Sequence, residues 1–350
     1  MKKIAIFQDD LNIGGIQKSL INLLNSIDYS ENSVDLYLFD DSGQWIDSVN
    51  ENVNVRLLKP MKRLYKFLPF DFALTKSGYD SVFPDYSYDL AIDFNSYQPW
   101  TAACAILIPA DKRVMWVHND VEIKYSEEFK YRILFKAMKG KYKYFEAFAC
   151  VSTALIESFK HMTGECDKEY YVIPNLIDTD EINSLKDVPN DININDDLMN
   201  VCAVGRLCHQ KGYDIMVDYF KEAVESRKDL MLYIMGSGPD YDMLNSLVGK
   251  YSLEKNIRLL GGCKNPYSIM NKCDAFISTS RYEGQGINIL EAKALGLQII
   301  IPKHLEKYVE GICGSDNIVD NLVKLEKKPK IADNLEEYNK KSLAMFNNLC

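Results

Sequence analysis

Short apolar segments alternate with amphipathic stretches along the whole chain of 350 residues, and this alternation restricts the possible folds more than any other feature. Segments such as Gln298–Ile301 are apolar without interruption and rich in β-branched residues, which is typical of strands buried on both faces of a parallel sheet. Stretches such as Ile16–Ile27 and Asp214–Glu225 have the amphipathic pattern of helices. The sequence therefore predicts an α/β protein with parallel sheets.

The predicted strands are too many for one ordinary sheet. They are Lys3–Phe7, Val34–Phe39, Val53–Leu58, Leu90–Phe94, Arg113–His118, Ala147–Val151, Tyr170–Ile173, Asn200–Val204, Leu230–Met235, Ile257–Leu260, Ala275–Ser278 and Gln298–Ile301. The acidic, Asn-rich stretch Thr179–Asn200 falls within this series, and we interpret it as a surface linker. The predicted organisation is a first domain over 1–175, a linker over 176–199, a second domain over 200–330 and a final helical segment over 331–350.

The composition fits a globular protein and disfavours several classes. Hydrophobic residues make up 47% and charged residues 26%, which excludes a disordered chain. The formal net charge of −9 disfavours a protein that binds duplex nucleic acid. The nine cysteines include no Cys-x-x-Cys pair, so we expect reduced thiols in a cytoplasmic protein. The apolar run Ile4–Phe7 is too short for a signal peptide, and no stretch approaches the roughly 20 apolar residues of a membrane helix.

The segment from Ser280 to Gly296 follows a predicted strand, opens a helix and offers the densest set of candidate site residues. Glu283 lies in the loop, and Glu291 lies about two turns into the helix. Glycines in the loop permit a ligand to approach the backbone, and the free N–H groups at the helix start attract phosphate. A carboxylate, an anion site and a second carboxylate suit a sugar nucleotide. An isolated glycine pair alone favours the alternative, a strand–helix turn with two solvated glutamates.

A second loop, Val204–Gly212, also lies between a predicted strand and a predicted helix. The guanidinium of Arg206 can bind phosphate through two parallel hydrogen bonds, and Lys211 adds a point charge. Taken alone, this loop is better explained as a surface loop with two solvated cations.

Together the two segments resemble the retaining nucleotide-sugar glycosyltransferases of the GT-B fold, family 4, also called glycosyl transferases group 1. The resemblance rests on Gly-Arg-Leu-x3-Lys-Gly followed by Glu-x7-Glu, and it spans most of Asn200–Pro302. It implies two Rossmann-like domains with parallel sheets that face each other across a cleft. The first domain would bind the acceptor, the second would bind the donor, and the last helix would cross back to the first domain.

The resemblance also implies a role for each motif residue. Arg206 and Lys211 would hold the donor diphosphate, Glu291 would bind the ribose hydroxyls, and Glu283 would contact the transferred sugar. Further donor contacts are implied at Gly284, Gln285, Gly286, Ile287 and Asn288, and at Cys263 near the base. The alternative for Cys263 is a simple strand-to-helix turn.

The N-terminal half offers three more candidates. Gly14 and Gly15 open a helix after the first strand, where the family has a glycine pair facing the donor phosphates, although such a pair also marks an ordinary helix start. His118 ends a predicted strand, and the carboxyl ends of parallel strands face the ligand crevice. The family places a histidine there beside the transferred sugar, and the alternative is a structural histidine. Two positions depart from the family pattern, since Leu176 replaces a glycine and Gln17 replaces a frequent acidic residue.

The resemblance implies transfer with retention of configuration from a nucleotide-diphosphate sugar, UDP being favoured, to a glycan acceptor in bacterial capsule, exopolysaccharide or other cell-surface glycan synthesis. No Asp-x-Asp follows a strand, and no second Cys/His pair accompanies Cys208 and His209, so we expect neither a metal nor a cofactor. Two alternatives remain open: a non-catalytic GT-B partner subunit and a GT-B nucleotide-sugar 2-epimerase. The missing Gly-x-Gly-x-x-Gly disfavours a dehydrogenase.

Two stretches, Lys59–Phe70 and Lys124–Lys143, combine cations with aromatic and aliphatic side chains in an otherwise acidic chain. This pattern predicts peripheral contact with an anionic membrane, which suits a lipid-linked acceptor at the inner face of the plasma membrane. The alternative is two amphipathic surface helices whose lysine stems cover core leucines.

Overall fold

The computed structural model describes residues 1–41, 43–59, 70–76, 83 and 86–349. The chain divides into two compact units, one formed by Met1–Leu176 with Tyr338–Cys350 and the other by Ile177–Glu337. Each described helix is too short or too polar to cross a bilayer. Residues 60–69 of the basic stretch Lys59–Phe70 lie outside the described residues.

The first unit contains a parallel sheet with the strand order β3-β2-β1-β4-β5-β6-β7. Its strands are β1 (Lys2–Gln8), β2 (Asn32–Leu38), β3 (Asn54–Leu57), β4 (Tyr88–Asp93), β5 (Ala110–Val117), β6 (Ala147–Cys150) and β7 (Glu169–Val172). Its helices are α1 (Gly15–Ser26), α2 (Phe70–Lys76), α3 (Pro99–Leu107), α4 (Val121–Glu127), α5 (Phe129–Met138) and α6 (Ala154–Thr163), with 3₁₀ turns at Ile46–Ser48 and Lys139–Tyr144. The central strands are buried on both faces, whereas all four residues of the edge strand β3 are exposed.

The second unit contains a parallel sheet with the order β10-β9-β8-β11-β12. Its strands are β8 (Met199–Val204), β9 (Leu230–Met235), β10 (Ile257–Gly261), β11 (Ala275–Ile277) and β12 (Gln298–Ile300). Its helices are α7 (Thr179–Leu185), α8 (Tyr213–Ser226), α9 (Tyr241–Lys250), α10 (Tyr267–Met270), α11 (Ile287–Ala294) and α12 (Ile318–Val323), with 3₁₀ turns at His209–Lys211 and Lys303–Tyr308. Every predicted strand overlaps an observed strand in one of the two sheets. The prediction of two α/β domains with parallel sheets is confirmed.

The stretch predicted to be a surface linker contains a helix, α7. The side chain of Asp178 accepts a hydrogen bond from Glu181 N at 2.8 Å, and the first turn carries two acidic residues, both of which stabilise a helix start. Ile182 is buried, and the amide of Asn265 donates to Leu185 O at 2.9 Å. The helix therefore packs within the second unit instead of forming an irregular connection.

The last helix, α13 (Glu336–Asn347), belongs to the first unit from Tyr338 onward. The Phe346 ring packs 6.3 Å from the Trp116 ring of β5, measured between ring centroids. The Tyr338 hydroxyl donates to Asn175 O at 3.1 Å. The chain therefore returns to the first unit after it has completed the second.

Candidate functional site

The loops that follow β8, β9 and β10 are joined through their glycines. Gly205 N donates to Met235 O at 3.0 Å, and Gly236 N donates to Gly261 O at 2.7 Å. A Cβ atom at position 236 would lie 1.8 Å from Gly205 O, so no side chain fits there. Because the carboxyl ends of parallel strands share one edge of a sheet, this contact fixes the loop that carries Arg206 at that edge.

The loop after β8 is also tied to the loop after β11. Gly212 has a φ of +62°, and a Cβ there would lie 2.2 Å from Thr279 O. Thr279 Oγ1 donates to Gly212 O at 2.8 Å. The guanidinium of Arg281 donates to both carboxylate oxygens of Asp214, at 2.9 and 2.6 Å, and lowers the pKa of that carboxyl. These contacts hold the two motif loops side by side.

Lys211 and Glu283, which the sequence places in different motifs, form an ion pair. Lys211 Nζ lies 2.6 Å from Glu283 Oε1, and the same oxygen accepts a hydrogen bond from Ser280 Oγ at 2.7 Å. The side chain of Glu283 is 6% exposed and that of Lys211 is 21% exposed. The ammonium group therefore compensates the charge of a buried carboxylate, as burial of a charge requires. Ser280 had no role in the sequence prediction.

Arg206 differs from Lys211 because its guanidinium is exposed. Within the described part of the chain, its side chain has no hydrogen bond or ion pair. Of the two predicted phosphate-binding cations, Lys211 is thus paired with a carboxylate, whereas Arg206 has no carboxylate partner among the described residues.

Helix α11 begins directly after Gly286, whose φ is +76°. Gly284, Gln285 and Gly286 are all buried in this turn. Asn288 Nδ2 donates to Val204 O at 2.6 Å, and Asn288 Oδ1 accepts from Ile289 N at 3.0 Å. The side chain predicted to contact phosphate or sugar thus links the helix start to the end of β8.

Glu291 lies inside α11 and accepts a hydrogen bond from the Tyr267 hydroxyl at 2.7 Å. Both side chains are buried. Burial, together with the nearby charge of Glu291, raises the pKa of Tyr267, so its hydroxyl remains a donor. The sequence analysis missed Tyr267, because a tyrosine that opens a short helix carries no motif.

Cys263 follows β10 and lies close to Gly261, which has a φ of +71°. Its side chain is partly buried, and burial raises the pKa of the thiol. The group is therefore a neutral thiol, which suits a packing or base contact and not a nucleophile.

In the first unit, Gly14 and Gly15 stand at the start of α1. A Cβ at position 14 would lie 2.4 Å from Gln17 Oε1, whereas a Cβ at position 15 would meet open space. Gln17 Nε2 donates to Asp10 Oδ1 at 3.0 Å. Gln17 therefore folds back over the helix start, and since its amide is the end of a flexible side chain, this contact alone does not require a glycine at position 14.

His118 follows β5 and is buried. Its Nε2 lies 2.7 Å from Phe94 O, and because a carbonyl only accepts, Nε2 carries the hydrogen. Burial lowers the pKa of His118 to about 4, so the ring is neutral near pH 7 and Nδ1 is an acceptor. The side chain can therefore accept a hydrogen bond from a sugar hydroxyl through Nδ1.

Among the residues that the structure describes, no group of three or more His, Cys, Asp or Glu side chains is placed to hold a metal ion.

Residues 186–342 match the family model described as glycosyl transferases group 1, which confirms the resemblance drawn from the two motifs.

Two curated relatives show the range of similar proteins. An uncharacterised glycosyltransferase of Methanocaldococcus jannaschii is 29% identical over 218 residues, which cover 60% of this chain and 53% of that protein. The UDP-Gal:alpha-D-GlcNAc-diphosphoundecaprenol alpha-1,3-galactosyltransferase of Escherichia coli is 29% identical over 186 residues, 47% of each chain. The chain thus spans about half the length of these relatives.

Among solved structures, Anabaena HepE in complex with UDP-glucose superposes with a TM-score of 0.70 at 18% identity. The superposition covers 100% of this chain and 98% of HepE. At this level of identity the match shows a shared fold, and it confirms the predicted fold class.

Proposed function

Because residues 186–342 belong to the glycosyl transferases group 1 family, we propose that this protein transfers a sugar from a nucleotide-diphosphate donor to a glycan acceptor, with retention of configuration and without a metal. The observation that carries the proposal is the ion pair between Lys211 and Glu283. It joins two motif loops whose residues lie 72 positions apart in the sequence.

The donor diphosphate binds to the exposed guanidinium of Arg206 and to the N–H groups at the start of α11, after Gly286. Negative charge grows on the leaving diphosphate in the transition state, and these groups and Lys211 stabilise it. Removing one such group typically lowers the rate by about 10²–10³-fold.

The two motif carboxylates recognise hydroxyl groups. Glu283 Oε1 is occupied by Lys211 and Ser280, so Oε2 is the oxygen that accepts from the transferred sugar. Glu291, oriented by the Tyr267 hydroxyl, accepts from the ribose. Cys263 packs near the base.

A UDP-sugar is the proposed donor, since the E. coli relative is named for UDP-Gal and the HepE complex holds UDP-glucose. The first unit binds the acceptor, a glycan carried on a lipid diphosphate, as the name of the E. coli relative describes. Such a reaction belongs to capsule, exopolysaccharide or other cell-surface glycan synthesis at the cytoplasmic face of a membrane.

Helix α5 supplies the contact with that membrane. Phe129 is 69% exposed and Ile133 is 58% exposed, one turn apart on the same face. The exposed lysines Lys130 and Lys136 flank them. An exposed apolar face beside cations favours an anionic lipid surface.

The membrane contact is tested by co-sedimentation with vesicles that contain phosphatidylglycerol. Phe129→Ser with Ile133→Ser should abolish binding, whereas the matched control Phe72→Ser, at a position 51% exposed in the same unit, should leave it unchanged. Equal binding by all variants would contradict the contact.

The transferase proposal is tested by thermal unfolding with UDP-, GDP- and ADP-sugars. A ligand at 100 times its Kd raises the free energy of unfolding by about 2.7 kcal/mol. The stabilising sugar nucleotide is then incubated with the protein and without acceptor. Slow hydrolysis supports a transferase, a new epimer identifies the 2-epimerase, and no stabilisation by any donor contradicts both.

A further inference from the structure

Lys124 of the first unit is paired with aromatic rings instead of a carboxylate. Its Nζ lies 4.2 Å from the centroid of the Tyr97 ring and 5.0 Å from that of Tyr131. Within the described residues it forms no ion pair. Aromatic rings stabilise an ammonium group but do not neutralise its charge.

Two acidic residues that precede Lys124, Asp120 and Glu122, have other partners. Asp120 accepts from Glu122 N and Ile123 N as the helix cap, at 3.1 and 3.2 Å. Glu122 Oε1 lies 3.1 Å from His161 Nδ1. Among the described residues, Lys124 therefore forms no ion pair although carboxylates are close in sequence.

The rings around Lys124 connect it to the predicted site of this unit. Tyr97 and Tyr131 line a cavity of about 10 Å³ together with Ser96 and His118. The cavity lies at the carboxyl end of β5, the edge at which parallel sheets bind ligands. Lys124 thus stands beside the cavity that His118 lines.

Tyr97 adds a hydrogen-bond donor to this cation. Its hydroxyl oxygen accepts from Asn119 Nδ2 at 3.0 Å, so its own hydrogen can point to another acceptor. The partly buried ammonium of Lys124 and the phenol hydroxyl of Tyr97 can both donate hydrogen bonds, and the ammonium carries a positive charge. Such a pair of donors suits a phosphate oxygen.

We propose that Lys124 and Tyr97 bind the phosphate through which the acceptor glycan is attached to its lipid. The inference rests on the proposed function, because it names the acceptor chemistry of the same reaction. A phospholipid headgroup offers the same phosphate ester, so the test separates the two sources.

The kinetic test compares two soluble acceptors that share one glycan, one joined to farnesyl through a diphosphate and one without phosphate. Lys124→Met should raise the KM for the diphosphate acceptor about tenfold or more, and Tyr97→Phe should raise it several-fold. The kcat and the KM values for donor and phosphate-free glycan should not change. Lys160→Met is the matched control, since Lys160 also lies over a tyrosine ring but is paired with Glu157. An unchanged KM in Lys124→Met would overturn the proposal.

Two further measurements distinguish the acceptor phosphate from a lipid headgroup, and a failure of this anion site from a failure of the proposed function. Binding to phosphatidylglycerol vesicles should be the same in wild type and Lys124→Met, and a loss confined to the vesicles would assign Lys124 to lipid headgroups and overturn the acceptor site. Farnesyl diphosphate is also titrated by calorimetry with the donor site filled by UDP. If UDP does not bind, the proposed function fails, yet loss of farnesyl diphosphate binding in Lys124→Met would still support the anion site, and retained binding would refute it.

Discussion

Lys211 Nζ and Glu283 Oε1 lie 2.6 Å apart, so the cation of one motif is the counter-ion of the carboxylate of the other. The loss of folding free energy should depend on which of the two residues loses its charge. Glu283 is almost fully buried, whereas Lys211 retains access to solvent. This asymmetry leads to the first prediction.

Lys211→Met should lower the free energy of unfolding by about 3 kcal/mol, because it leaves a buried carboxylate without its counter-ion. Glu283→Gln should cost clearly less, since the amide oxygen still accepts from Ser280 and the lysine can turn to water. Urea unfolding of both variants and of the double variant measures the coupling. Equal losses of stability in the two single variants would contradict this asymmetry.

Arg206→Met should weaken nucleotide-diphosphate binding by about tenfold or more, because a bidentate contact with phosphate is lost. Titration calorimetry with the preferred nucleotide measures the change. Arg258→Met is the matched control, since Arg258 is an exposed arginine of the same unit outside the two motif loops. The prediction is wrong if both variants bind with the same affinity as wild type.

His118 should make folding sensitive to mild acid. Its folded pKa is about 4, below the ordinary value of 6.5, so between these values the unfolded chain takes up a proton that the folded chain does not. The stabilising contribution is complete above pH 6.5 and is lost as the pH falls towards 4, by at most about 3 kcal/mol.

His118→Gln keeps a donor for Phe94 O and removes the titration, so its free energy of unfolding should fall less than that of wild type between pH 6.5 and 4. Asp93, whose pKa burial raises to about 6, acts in the opposite direction and is present in both proteins. The control His161→Gln changes a mostly exposed histidine and should follow wild type. Parallel pH profiles for His118→Gln and wild type would contradict a buried neutral imidazole.

Comparing Gly212→Ala with Gly164→Ala should separate the cost of a steric clash from the cost of a left-handed backbone. Gly212 and Gly164 both have positive φ angles, of +62° and +84°, but a Cβ at 164 meets nothing within 4 Å and a Cβ at 212 would lie 2.2 Å from Thr279 O. Gly164→Ala should cost about 1–2 kcal/mol of stability for the left-handed backbone alone. Gly212→Ala should cost more and also reduce nucleotide affinity, because the two motif loops are pushed apart. Similar losses of stability in both variants would show that the main chain shifts easily to remove the clash at position 212.

The strands were predictable from sequence because burial on both faces leaves an uninterrupted apolar pattern, as in β9. Helix α7 was missed because its sequence is mostly polar. Its helical signals are one buried residue, Ile182, and one capping residue, Asp178. The motif loops were also recognisable, but their side-chain partners were not. The contact of Tyr267 with Glu291 joins residues 24 positions apart, and only tertiary packing decides which donor meets that carboxylate.

The glycine contacts at the edge of the second sheet restrict how a protein of this kind can change its ligand preference. A Cβ at 236 would collide with Gly205 O, and a Cβ at 238 would lie 2.2 Å from Leu207 O. Neither position accepts even a methyl group without a shift of the main chain. If this edge binds the donor, as proposed, changes of specificity are therefore expected at side chains such as those of Arg206, Cys263, Glu283 and Glu291, while the two glycines stay constant.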